Sequence, residues 1–259
     1  MFRYFLEVRY LGARYAGFQI QQNAKSIQGE LERVLAILFR GAVELTGSSR
    51  TDAGVHARQN YFHFDSPALL NPGLVYNINA MLPQDLAVIS LKQVNARAHC
   101  RFDAIARSYQ YRVYTFKDPF EFETGYYFPY SLDFDRLQKA AGYFLGRHDF
   151  KTFSKRNTQV KTFLCNVQES EWQRAGNSYI YKVRSNRFLR GMVRGLVGTM
   201  LLIGRGKLEL DQLSSILASG DPGRADFSVP GKGLTLERVD YPESVFDIRA
   251  TNAGLSERE

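Results

Sequence analysis

Residues 47 to 65, GSSRTDAGVHARQNYFHFD, concentrate the side chains best suited to chemistry. Gly47, two serines and the run Arg50-Thr51-Asp52-Ala53-Gly54 predict a tight loop between two strands. Rigid scaffolds present reactive groups on such loops. Asp52 lies two residues from Arg50, and a nearby positive charge favours the ionised carboxylate. An ionised carboxylate can be a nucleophile, a base or a metal ligand. It can equally cap a turn, which is how Asp is most often used in glycine-rich loops. Several chemistries fall away. A D-x-D phosphoryl-transfer site wants a second acid close by, and an aspartic protease wants two D-T/S-G loops. A phosphate-binding loop wants G-x-x-x-x-G-K-S/T. Asp52 has no second acid close by, only one weak relative of a D-T/S-G loop is present, and the phosphate-binding motif is absent.

Hydrophobic periodicity supplies the elements that must hold this loop. Residues 2 to 10 alternate, with Phe2, Tyr4, Leu6, Val8 and Tyr10 on one side and Arg3, Glu7 and Arg9 on the other, a strand pattern. Residues 26 to 39 predict a helix capped by Ser26, with Ile27, Leu31, Val34, Leu35 and Leu38 on one face. A strand near 42 to 46, the loop and the strand VHARQNYFHFD follow. Asn71-Pro72 predicts a helix start with Asn71 as N-cap, and Leu74, Val75, Ile78 and Met81 give its apolar face. Residues 86 to 94 predict a strand. The second half repeats the order. ARSYQYRVYTF (106 to 116) alternates, Asp135 opens a helix, and strands near 162–173 and 178–186 meet at Ala175-Gly176-Asn177. A long helix spans 188 to 204, a short one is capped by Asp211, and LTLERVDYP is a closing strand. Each half reads β-α-β-β-α-β, the ferredoxin-like order. The expected fold is therefore α+β, two ferredoxin-like halves with their sheets joined side by side and a catalytic cleft between them. The expected domains are 1–104, carrying the Asp loop, and 105–242, basic and nucleic-acid-binding. Residues 243–259 form a polar tail that ends in the frayed ATNAGLSERE.

Charge points to the partner. Between Gly146 and Lys207 there are thirteen Lys or Arg against three acids, so the chain's net charge of +8 resides there. Such a block suits a polyanion. Cys100 and Cys165 form no C-x-x-C pair, and no histidine completes a metal-ligand spacing with them. A reducing, cytoplasmic setting and no metal are expected. MFRYFLEVRY does not resemble a signal peptide, and no apolar run reaches membrane-spanning length. His56 and His63 are expected to serve strand packing or hydrogen bonding.

The blocks taken together resemble one family. R-T-D-A-G-V-H followed by an amide, here Arg50 to His56 with Gln59, is the signature of the tRNA pseudouridine synthase A family. ARSYQYRVY resembles its second block, with Tyr109 at the active-site tyrosine. HDFKTFS (148 to 154), NRFLRGMVRGLVGTMLLIGRGK with Arg194, and VPGKGLTLERVDYP resemble three further blocks. Five blocks in the right order extend the resemblance to about Pro242. The chain departs at Ser48-Ser49, where the family usually has Gly-(Ala/Ser)-Gly, and at KRNTQVKTFLC, 155 to 165.

The resemblance implies isomerisation of uridine to pseudouridine at positions 38, 39 and 40 of the tRNA anticodon stem-loop, with no cofactor. It implies a homodimer, one tRNA touching both subunits, and no membrane. It assigns Asp52 as covalent catalyst, Tyr109 as the aromatic partner of the flipped base, and Arg194 as the partner of Asp52. Arg50 would grip the flipped nucleotide, while Lys155, Arg156, Arg187 and Arg190 would hold phosphates. Two rivals remain: an RNA-recognition module, whose aromatic-basic strand motif is missing, and a metal nuclease using Asp52, Asp65 and His56.

Overall fold

Ser26 starts the first helix as its type requires: its Oγ accepts the Gly29 N–H at 3.2 Å. The computed structural model describes residues 1–156 and 160–248; most of the expected tail, ATNAGLSERE included, lies outside the described residues, as do 157–159 in the divergent 155–165 segment. The chain divides into two compact units. Among the described residues, one comprises 1–105 with 238–248, and the other 106–237.

The first unit contains β1 (Phe2–Tyr10), α1 (Ile27–Phe39), β2 (Thr46–Gly47), β3 (His56–Ser66), α2 (Leu74–Met81) and β4 (Leu86–Gln93). β1 pairs antiparallel with β3 and β4, and β2 adds to β3. The resulting order β4-β1-β3-β2 is the ferredoxin-like one. α1 buries Ile27, Leu31, Val34 and Leu35, the stripe its spacing predicts, and ends where Arg40 turns left-handed at φ 55°.

Three local expectations shift. The strand expected near 42–46 contracts to Thr46–Gly47. Asn71 does not cap α2: its Oδ1 accepts the Gly73 N–H at 2.8 Å, so a turn precedes the helix and Gly73 takes the N-cap position. β1 is not one-sided either. Phe5, on the face read as polar, is buried because Tyr241 and Phe246 lay their rings on it at 5.3 and 6.1 Å.

The second unit contains β5 (Ala106–Tyr114), β6 (Tyr126–Tyr127), α3 (Phe134–Gly142), β7 (Gly146–Asp149), β8 (Leu164–Ala175), β9 (Ser178–Ser185), α4 (Met192–Gly204) and α5 (Gln212–Ala218). β10 (Leu234–Asp240) begins in this unit, and its last three residues are grouped with the first. The order β10-β5-β9-β8 repeats the ferredoxin-like arrangement, with β7 added at the β8 edge and β6 parallel to β5. The β8–β9 hairpin turns through Gly176 at φ +59°, the conformation glycine supplies at least cost.

Here too the caps move. Asp133, not Asp135, opens α3 by accepting the Arg136 N–H at 3.0 Å. α4 starts at Met192 because Gly191 sits at φ +74° just before it, outside the helical region. Asp211 stands at the start of α5, but its side chain makes no capping bond. α4 buries every residue except Arg194 and Leu202, so a charge on this helix demands explanation. Among the described residues no helix is long and apolar enough to cross a membrane.

Candidate active site

The loop between β2 and β3 is anchored along its length. Ser48 N–H donates to the Tyr61 carbonyl at 2.8 Å, the Thr51 carbonyl accepts from Phe18 N–H at 3.1 Å, and Val55 N–H closes on the Asp52 carbonyl at 3.2 Å. Gly12 lies against the loop so closely that a Cβ would stand 2.0 Å from the Val55 oxygen, so only glycine fits there. Its N–H donates to His56 Nδ1 at 3.0 Å, which gives His56 the hydrogen-bonding role its strand position suggested.

Beneath the loop lies a buried amide. Asn60 Nδ2 donates to the Ser49 carbonyl at 3.0 Å and to the Tyr10 hydroxyl at 3.1 Å, and its Oδ1 accepts the Tyr61 N–H at 2.9 Å. The Tyr10 and Thr51 hydroxyls share a bond of 2.9 Å. Ser49 and Thr51 are therefore buried, Arg50 is exposed and Asp52 is half-buried. The loop holds Ser49 and Thr51 inward, while Arg50 stays exposed and Asp52 keeps part of its surface accessible.

The signature amide Gln59 and its neighbour Asn60 take different partners. Gln59 turns away from the loop, donating to Glu7 Oε1 at 3.0 Å and accepting Val239 N–H at 3.1 Å. The neighbouring Asn60 reaches the loop instead. Alternation along β3 was the available signal, because successive side chains point to opposite faces.

The second unit carries the remaining expected site residues. Tyr109, on β5, is half-buried and meets the Phe188 ring edge-on at 4.9 Å. Tyr111 shares its face but is not available to a substrate. It is fully buried, its hydroxyl donates to the Pro230 carbonyl at 2.7 Å, and burial holds its phenol well above the ordinary range. Arg194 does not snorkel outward as a surface arginine would. Its Nε donates to the Val229 carbonyl at 2.7 Å and its Nη2 to that of Phe227 at 3.3 Å. Those bonds account for a cation on an otherwise apolar helix.

The phosphate-gripping candidates lie on two strips. Lys155 N–H donates to the Arg190 carbonyl at 2.9 Å, which joins the strips. Arg156 and Arg190 are exposed, while Lys155 and Arg187 are half-buried. Arg156 stands 3.8 Å from Asp221, an exposed pair that holds it only loosely.

One cluster escaped the sequence reading. His63, His99 and Cys100 place potential metal-ligand atoms within 4.8 Å of one another. The fold assembles what spacing along the chain did not reveal. Its donors are already engaged: His63 Nδ1 is 3.1 Å from Cys100 Sγ, and that sulfur bonds the Thr46 carbonyl at 3.1 Å. His99 Nδ1 accepts the Arg101 N–H at 3.2 Å, which leaves the ring proton on the other nitrogen. Burial, with the Arg3 charge nearby, lowers the His63 pKa to about 4. These features suit a neutral hydrogen-bonded packing cluster.

Comparison with known proteins places these residues in context. A family model described as tRNA pseudouridine synthase matches residues 140–242. A Parabacteroides distasonis protein named tRNA pseudouridine synthase A is 42% identical over 250 residues, covering 96% of this chain and 99% of its own. A Bacteroides thetaiotaomicron protein of the same name is 40% identical over 260 residues, covering 99% and 97%. One from Staphylococcus saprophyticus is 35% identical over 240 residues, covering 92% and 90%.

Proposed function

The chain belongs to the tRNA pseudouridine synthase A family, and from that premise we propose that it isomerises uridine to pseudouridine at positions 38, 39 and 40 of the tRNA anticodon stem-loop, with Asp52 as nucleophile. As a member of that family it is an isomerase that acts on tRNA. The reaction cleaves the N1–C1′ bond, turns the base and joins C5 to C1′. A proton leaves C5 and one is gained at N1. No electrons are exchanged with an outside group, so the chemistry needs no redox cofactor.

The observation that supports Asp52 is its presentation. It is a half-buried carboxylate on a loop whose neighbours Ser49 and Thr51 are tied inward, next to an exposed arginine. A target uridine must leave the helical stack to be reached. Tyr109 is assigned as its stacking partner and as the group that takes the C5 proton. Arg194 is assigned as the ion-pair partner of Asp52, and Arg50 as the grip on the flipped nucleotide. Lys155, Arg156, Arg187 and Arg190 hold phosphates, which position RNA without reading its sequence. The same reading takes the enzyme as a cytoplasmic homodimer.

Nucleoside mapping of tRNA treated with the purified protein tests the assignment of positions. Pseudouridine at 38, 39 or 40, formed at an unchanged rate with excess chelator, is the expected result. Modification confined to other uridines contradicts the positions, and chelator-sensitive strand cleavage favours the nuclease reading.

A further inference from the structure

We infer that Asn60 is a positioning residue for the catalytic loop, acting through Ser49 and the Tyr10–Thr51 pair; this rests on the reading of Asp52 as nucleophile. Asn60 is fully buried, and three of the four hydrogen-bonding positions of its carboxamide, both donors among them, are used. Its orientation is fixed by chemistry. Turning the amide over would set its oxygen against the Ser49 carbonyl and its NH2 against the Tyr61 N–H, losing both bonds. Tyr10, itself buried, carries the connection on to the Thr51 hydroxyl. One side chain thus fixes the residues on both sides of Arg50, and Thr51 directly precedes Asp52.

A polar group this deep costs stability unless every partner is supplied, and an apolar side chain would fill the strand position without that demand. The network instead sets the position of the loop backbone. That matters for a nucleophile, because a displacement of about 1 Å can cost about 100-fold in rate. The sequence signature hides the role, since Gln59 is an amide too and lies one residue away.

Steady-state kinetics on Tyr10→Phe, Thr51→Val, Thr51→Ser and Asn60→Leu, with melting curves for each, test the inference. Tyr10→Phe and Thr51→Val each lower kcat about tenfold, and the double variant is no worse than either single one, because both break the same link. Asn60→Leu lowers kcat about 100-fold. KM for tRNA stays within about twofold throughout, since the loop is not the phosphate grip. Thr51→Ser, which keeps the hydroxyl, recovers most of the turnover. Unchanged kcat in Tyr10→Phe and Thr51→Val, with lowered melting temperature alone, overturns the inference and makes the network mere packing. So does an additive double variant. If Asn60→Leu does not fold, these two variants still decide. Asp52→Ala separates the two layers: an active Asp52→Ala sinks the nucleophile assignment, whereas an inactive one beside a fully active Tyr10→Phe sinks only the role of Asn60.

Discussion

The loop that presents Asp52 and the strips that present Lys155, Arg156, Arg187 and Arg190 are built by opposite means. The first rests on a buried amide, two buried hydroxyls and a glycine that no other residue can replace. The second is a set of exposed or half-exposed cations, of which Arg156 is loosely paired with Asp221. The difference follows from what each must do. Bond making tolerates little displacement of the reacting atom. Phosphate binding needs charge near a mobile backbone, and counterion release supplies the affinity whatever the detailed geometry. Arg194 stands between the two kinds, a cation held by carbonyls like a loop residue yet carrying charge like a surface one.

Arg194→Leu therefore probes the contrast most sharply. Turnover is expected to fall about 100-fold or more, on the scale of losing an electrostatic stabiliser, while tRNA affinity changes little. The Val229 and Phe227 carbonyls lose their donors, which costs about 1–3 kcal/mol of stability. A variant whose defect is weak tRNA binding alone would move Arg194 to the basic surface.

Tyr109 comes next. Tyr109→Phe keeps the ring and its edge contact with Phe188 but removes the hydroxyl. Product should form slowly while tRNA still binds. Tyr109→Leu removes the ring as well and should weaken binding by about 1–3 kcal/mol, the scale of one aromatic–base stack. Wild-type turnover in the Phe variant would rule out a role for the hydroxyl.

Reversing charge at Lys155 and Arg156 together should act on binding alone. The plot of log affinity against log salt should flatten by about one unit for each phosphate that is no longer neutralised, with kcat at saturating tRNA unchanged. An unaltered salt slope would place the RNA on another surface.

Much of this contrast was legible in the sequence. Helical spacing gave α1 and its Ser26 cap, and the β-α-β-β-α-β order of each unit followed from alternation and turns. The positive block was visible because charge needs only counting. What escaped was tertiary. Phe5 looked polar-facing because the rings covering it, Tyr241 and Phe246, lie at the far end of the chain. Asn71 and Asp135 are good capping types, but a turn at Gly73 and the nearby Asp133 took their places. Asn60 went unremarked beside Gln59, although alternation along β3 sets the two amides on opposite faces. The His63–His99–Cys100 cluster joins two segments that only the fold brings together.

That cluster supplies the smallest expected effect. His63 is held neutral in the folded chain with its pKa near 4, below the unfolded value of about 6.5. Between those values the unfolded chain binds more protons, so stability falls as pH drops from about 6.5 towards 4 and is complete above that window. Replacing His63 with Gln should flatten this part of the melting-temperature profile without altering turnover at neutral pH. An unchanged acid slope would mean that other groups cause it.

The central claim is that Asp52 makes the covalent step while the rest of the loop holds it still. Release of the C5 hydrogen from tRNA labelled at uridine reports that step, and Asp52→Asn keeps the side chain's size while removing its charge. The expected result is steady release by the wild-type protein and none by Asp52→Asn, with tRNA affinity and melting temperature preserved. Substantial release by Asp52→Asn would contradict the account and return Asp52 to the role of a turn residue.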